Sequence, residues 1–164
     1  LDVQTLTNCE LDGRDAIWNK LKQIQETPGY ENVFLLDVAS QLGVRASRTL
    51  VGTQELRLQD TLEQKAYPDV IGVGGTYPFL KNLPCPIPYG SLVPVRVDNL
   101  LASGRCVAAD NTMLNYTRLI APCMLTGQAA GAAAALAVQE NCTPRTVDVA
   151  KLQGLLRTQG AYLG

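Results

Sequence analysis

An uncharged stretch of 21 residues, at positions 119–139, constrains the fold of this chain more than any other feature. It reads LIAPCMLTGQAAGAAAALAVQ, so alanine and glycine dominate it and a single proline interrupts it. A run of this length without charge predicts a long helix, within 119–139, that is either buried in a protein core or placed in a membrane.

The membrane alternative rests on length and on one motif. Gly127 and Gly131 form the G-x-x-x-G spacing that is typical of paired membrane helices. Against it, alanine and glycine barely favour lipid, and Pro122, Thr126 and Gln128 interrupt the run. A buried helix that packs through small residues explains the same letters, so we expect no membrane span.

Composition excludes several classes of function. The chain has 164 residues, a net charge of −1 and 18% charged residues, so it lacks the basic field that binds nucleic acid. It has no histidine, the commonest general base and metal ligand. Its five cysteines are scattered without a C-x-x-C pair, so we expect no metal site. Free thiols favour a reducing compartment, and we expect a cytoplasmic location.

Hydrophobic periodicity predicts helices and strands in alternation, hence an α/β or α+β fold. The predicted helices cover residues 8–26, 58–65, the uncharged run and 148–160. The predicted strands cover residues 33–38, 48–52, 70–73 and 100–102. Five prolines between 77 and 94 predict an extended surface or interdomain segment.

A glycine cluster at residues 72–75 (GVGG) follows one predicted strand and suggests a dinucleotide-binding fingerprint. The third glycine of G-x-G-x-x-G would fall on Tyr77, and Pro78 comes next. A helix cannot begin there with its amides facing a pyrophosphate. We therefore expect this chain to lack a nucleotide-binding βαβ unit of its own.

The small residues of the uncharged run fit a ligand-facing helix. In this interpretation Gly127, Gln128 and Ala129 open a helix whose free N–H groups point at an electron-rich ligand atom. A strand at residues 99–104 would reach the same place, and Gly131 would let the helix lie tightly against a sheet. Tight packing without any ligand explains the same spacing, so both alternatives remain open here.

Three sequence blocks, in this order and spacing, carry a resemblance to a known family. They are IPYGSLVP at 87–94, VDNLLASGRC at 97–106 and, after Arg118, PCMLTGQAAG at 122–131. Together they resemble the C-terminal part of the FAD-dependent oxidoreductases of the glutathione-reductase-like superfamily. The similarity covers nearly the whole chain.

The resemblance implies a division of the chain and a cofactor site. Residues 1–94 would be part of a substrate or cap domain with a crossing segment, and residues 95–164 the C-terminal segment of the FAD-binding domain. The cofactor FAD would lie with its ribityl and pyrophosphate region near Gly104, Arg105 and Cys106. The pyrimidine edge of its ring would face Gly127, Gln128 and Ala129, because a helix N-terminus stabilises the negative charge there.

The family's N-terminal fingerprint strand and helix, which hold the ADP half of FAD, are missing from this sequence. We therefore expect a fragment of a two-domain flavoprotein that is inactive alone and binds FAD weakly or not at all. Its implied partners are the N-terminal remainder of the flavoprotein and a small-molecule substrate. The implied reaction is that of a dehydrogenase, which passes two electrons between this substrate and the flavin. A homo-oligomer stays open, and the alternative function is a packing or interaction module that keeps the fold without FAD.

Arg118 is the candidate contact to substrate or flavin, since the resemblance implies an arginine close to both. A buried guanidinium can hold a carboxylate through two hydrogen bonds. The alternative is a helix-end arginine that pairs with Asp110. Tyr89 and Tyr116 could likewise donate hydrogen bonds in a cavity, or simply be satisfied, half-buried tyrosines.

Overall fold

The structure is a computed structural model that describes residues 2–164. The chain divides into two compact units, Leu1–Ser47 and Arg48–Gly164. Helices and a small antiparallel sheet make up the described part, which confirms the expected α/β or α+β class. Because the two strands are antiparallel, α+β describes it better.

The first unit is one long helix followed by irregular chain. Helix α1 spans Val3–Gln25, and Asp2 caps it by accepting a hydrogen bond from the Thr5 amide at 2.9 Å. Residues 33–38, expected as a strand, are irregular. An apolar run becomes a strand only when a neighbouring strand pairs with its amides and carbonyls, and the described residues supply none here.

The second unit holds the remaining helices and both strands. Helix α2 spans Leu58–Leu62, strand β1 Val70–Gly74 and strand β2 Cys85–Pro88. Helix α3 spans Leu114–Thr117, α4 Ile120–Gln139 and α5 Val149–Thr158. Short 3-10 helices lie at Pro78–Leu80, Tyr89–Leu92, Gly104–Cys106 and Pro144–Thr146.

The core of this unit lies between the sheet and the last two long helices. Strand β1 pairs with β2 in the register Gly72↔Ile87 and Gly74↔Cys85. Helix α4 packs against β1 and α5 and buries alanines on one face. The expectation of a strand at 70–73 and of helices at 58–65, in 119–139 and near 148–160 is confirmed, within a few residues at the ends.

The proline-rich segment differs from its expectation. It contains strand β2 and a buried 3-10 helix, Tyr89–Leu92, instead of an extended surface crossing. Proline is tolerated in β2 because each strand of a two-stranded sheet has a free edge. Two further predicted strands are wrong: residues 48–52 contribute one isolated bridge, Gly52↔Pro94, and residues 100–102 are irregular.

The expected domain boundary after residue 94 stays a prediction, because it assigns residues to domains of a larger flavoprotein. Of the described residues, only helix α4 is long and apolar enough to cross a membrane. That is weak evidence, since the core helices of soluble proteins meet the same criteria. A third of its most apolar window is buried within the structure.

Candidate functional site

The N-terminus of helix α4 is open. Leu119, the residue before it, has an extended backbone and no side-chain acceptor for the amides that follow. Within residues 2–164 the amides of Ile120 and Ala121 have no hydrogen-bond acceptor, and Pro122 has no N–H at all. A helix of this length carries a positive partial charge at such an end. The arrangement can therefore bind an electron-rich atom.

Two unsatisfied polar groups lie in the sequence immediately before this helix. Thr117 is fully buried, and its hydroxyl oxygen Oγ1 has no hydrogen-bond partner. The Nε atom of Arg118 is also buried without a partner. Buried polar groups are almost always satisfied in folded proteins, so these two atoms have hydrogen-bonding capacity that the described residues leave unused.

The alternative pairing of Arg118 with Asp110 is not formed in the described part of the chain. The Asp110 carboxylate instead accepts hydrogen bonds from three backbone amides: Thr112 at 2.9 Å, Met113 at 2.8 Å and Leu58 at 2.7 Å. Asp110 thus holds the start of α2 near the turn before α3, and its capacity is taken up by the backbone.

The predicted contacts at Gly104, Arg105 and Cys106 form a 3-10 turn against α4. The Gly104 amide donates a hydrogen bond to the Thr126 hydroxyl at 2.9 Å, and φ is +71° at this glycine. A Cβ there would lie 3.4 Å from the Cys123 sulfur. The structure therefore brings this turn to the first turns of α4, while Arg105 and Cys106 are exposed.

The predicted helix opening at Gly127, Gln128 and Ala129 is wrong. Helix α4 already begins at Ile120, so these three amides bond to carbonyls of the preceding turn. Pro122, at the third helical position, is compatible with this earlier start. Proline has no N–H, and the amides of a first helical turn have no partner within the helix in any case. Ala129 is buried and Gln128 bonds to Gln159. A role for the three residues in binding the cofactor stays a prediction.

Gly131 does not produce the expected close packing. A Cβ built at Gly127 or at Gly131 would meet no heavy atom within 4 Å outside its own helical turn. The close contacts of α4 come from its alanines: Ala129, Ala132, Ala133 and Ala137 are buried.

A cavity of about 250 Å³ adjoins the start of α4. One wall is the segment after β1, and the other is the first turn of α4 with the residues before it. Tyr116 joins the two, because its hydroxyl donates a hydrogen bond to the Gly75 carbonyl at 3.2 Å while its own carbonyl accepts the Leu119 amide at 3.0 Å. The sequence left Tyr116 undecided, and nothing in the sequence pointed to Gly75.

Three buried titratable groups of the second unit are neutral at physiological pH. Burial raises the pKa of the Cys85 thiol to about 11 and also raises the pKa of Tyr116. Tyr89 donates a hydrogen bond to the Pro144 carbonyl at 2.6 Å, and burial raises its pKa to about 12. None of the described residues forms a cluster of three or more metal-binding side chains.

A family model described as "FAD dependent oxidoreductase" matches residues 1–156. The chain belongs to this family. The suspected flavoprotein identity is thereby confirmed at the level of the family, and FAD is the cofactor of that family. No curated protein and no solved structure matches the chain.

The residues at the start of α4 fit a flavin. Its pyrimidine edge offers acceptor oxygens and nitrogens, and the described structure supplies the complementary groups: two amides without acceptors, a buried hydroxyl and a buried guanidinium nitrogen without partners. The signal in the sequence for this location was Pro122, which is typical of a first helical turn.

Proposed function

We propose that this chain is the C-terminal part of an FAD-dependent dehydrogenase that passes two electrons between a small organic substrate and flavin. The family match supports the oxidoreductase class. The observation that carries the proposal is the pair of unsatisfied groups, Thr117 Oγ1 and Arg118 Nε, next to the uncapped start of α4. When bound, the flavin supplies the electron transfer itself.

In this proposal the chain's own residues orient the cofactor and tune its charge. The amides of Ile120 and Ala121 would be the groups that hold the pyrimidine edge, and the positive end of α4 would stabilise negative charge there. Arg118 adds a full positive charge, or holds a substrate carboxylate. The turn at Gly104 would let the backbone approach the ribityl chain closely, since a glycine has no side chain and one at this position would strain the turn.

The other half of the site would come from the N-terminal remainder of the flavoprotein. The described residues contain no parallel βαβ unit that could hold the ADP half of FAD. We therefore propose that this chain alone binds FAD weakly and is inactive. The cytoplasmic location expected from the scattered cysteines stays a prediction.

The experiment uses the chain together with any polypeptide that its gene encodes before Leu1. We expect the purified protein to show the visible absorption bands of bound flavin. A folded but colourless protein would contradict the proposal and would favour the alternative, a packing module that keeps the fold without FAD.

A variant tests the role assigned to Arg118. We expect Arg118→Gln to lower the reduction potential of the bound flavin, since positive charge nearby favours the reduced, more negative form. Each 1.4 kcal/mol of lost stabilisation lowers a two-electron potential by about 30 mV. Arg157→Gln, an exposed arginine at the end of α5, is the matched control and should leave the potential unchanged. Equal reduction potentials in the unchanged protein, in Arg118→Gln and in Arg157→Gln would show that Arg118 does not act on the flavin.

A further inference from the structure

The cavity beside the start of α4 has the size of a binding site for a small ring. Its volume is about 250 Å³, and an apolar cavity of about 150 Å³ is enough to hold benzene. It belongs wholly to the unit Arg48–Gly164. The residues that line it are Gly75, Thr76, Tyr77, Tyr116, Leu119, Ala121 and Pro122.

The walls of this cavity are fixed on both sides. Tyr116 is 1% exposed and hydrogen-bonds through its hydroxyl to Gly75 on one wall and through its carbonyl to Leu119 on the other. Tyr77 packs edge-on against Phe79, with ring centroids 5.3 Å apart. The lining therefore contains two tyrosines, of which Tyr77 is partly exposed and Tyr116 is buried.

The side chains of the lining carry no charge. None of the lining residues is acidic or basic, so a cation in the cavity would lack a counter-ion. Leu119, Ala121 and Pro122 offer apolar surface, and the tyrosine rings favour edge-to-face or offset contacts with another ring. The Thr76 side chain provides a hydroxyl for a single polar substituent.

We propose that this cavity binds a small, uncharged aromatic ring. This inference rests on the proposed function: the ring is part of the substrate that reacts at the flavin site. The substrate class is therefore small aromatic compounds. The ring-binding step itself requires no flavin, so it can be measured on this chain directly.

The test is a titration of the isotope-labelled full chain with phenol, followed by amide chemical shifts. We expect saturable shifts confined to residues 75–77 and 119–121. Cyclohexanol has a similar size and the same hydroxyl without a planar ring, and we expect it to bind at least about fivefold more weakly. Shifts located elsewhere, no shifts, or equal binding of both alcohols would overturn the proposal.

Two variants make the assignment specific. Tyr77→Ala removes a partly exposed ring from the lining, and we expect it to weaken phenol binding about fivefold. Tyr162→Ala removes an exposed tyrosine outside the cavity, and binding should not change. If Tyr77→Ala loses its native spectrum, Tyr77→Leu takes its place. Unchanged binding in the Tyr77 variant would overturn the assignment.

The outcome is independent of the flavin experiment. Phenol binding by a protein whose longer form is colourless would keep the ring site and remove the redox role. A protein that contains flavin but does not bind phenol would support the redox role and would exclude the aromatic substrate class.

Discussion

Tyr116 connects two parts of the chain that are 41 residues apart in sequence. Its hydroxyl reaches Gly75 because the preceding residue, Gly74, has no side chain. A Cβ at Gly74 would lie 1.7 Å from the Tyr116 hydroxyl oxygen, far inside contact distance. The glycine is therefore required for packing and not for its backbone angles, since its φ is not positive.

This dependence predicts a coupled pair of substitutions. We expect Gly74→Ala to lower the free energy of unfolding by about 2–3 kcal/mol, the usual cost of an overpacked core. In the Tyr116→Phe background the oxygen is gone and the nearest ring carbon lies 2.9 Å from the added Cβ, so the same change should cost less. Urea denaturation of the four proteins measures the coupling.

Gly75→Ala is the matched control for this cycle. A Cβ at Gly75 would meet nothing within 4 Å, so the free energy of unfolding should change by no more than about 0.5 kcal/mol. If Gly74→Ala costs the same with and without the Tyr116 hydroxyl, the clash is not the cause of the destabilisation.

At the scale of elements, local signals predicted helices well and strands poorly. Pro28 follows the end of α1, and the Asp148 side chain caps α5, so both helices could be located from the sequence. The runs at 33–38, 48–52 and 100–102 had strand composition, but a strand needs partners whose position depends on the rest of the fold. Only the run at 70–73 found such a partner, in β2.

At the candidate site, too, features with a local signal in the sequence could be predicted, and contacts that depend on the rest of the fold could not. Arg118 was placed correctly before a long helix, because charge ends where the uncharged run begins. The ligand-facing interpretation placed the start of the helix seven residues too late, because it gave more weight to the glycine and alanine block than to Pro122. The link from Tyr116 to Gly75 could not be predicted, since it depends on the placement of α3 against the end of β1.

At Gly131 of helix α4, the packing expected from the sequence differs from that in the structure, and the difference can be tested. Gly131 is exposed, and a Cβ there would meet open space. We therefore expect Gly131→Ala to raise the free energy of unfolding of this chain by about 0.5–1 kcal/mol, because alanine loses less backbone entropy in a helix. Ala134→Gly, the reverse change at another exposed position of α4, should lower it by a similar amount. A lower free energy of unfolding for Gly131→Ala would instead support the close packing at Gly131 that the sequence suggested.

At the scale of the molecule, the two compact units differ in how much they bury. Of the described residues up to position 47, Leu21 is the one buried residue. The second unit has a continuous core that includes Leu56, Ile71, Leu92 and Met113. Since burial of apolar surface is the main stabilising contribution, nearly all of the stability should reside in residues 48–164.

Limited digestion with trypsin tests this difference. Residues 34–47 form no helix or strand and are mostly exposed, so their local opening should cost little free energy. We expect the earliest cuts after Arg45 and Arg48, followed by a resistant fragment that begins at Ala46 or Thr49 and includes α5. Arg57, Arg118 and Lys151 lie within the second unit and should be cut only after it unfolds, as mass spectrometry of the digest over time will show. Chain unfolded in urea is the control and should be cut at all these positions together. Early cleavage at Arg57 or Arg118 in the folded chain would mean that residues 48–164 do not form the stable unit, because a protease needs an unfolded segment around the bond that it cuts.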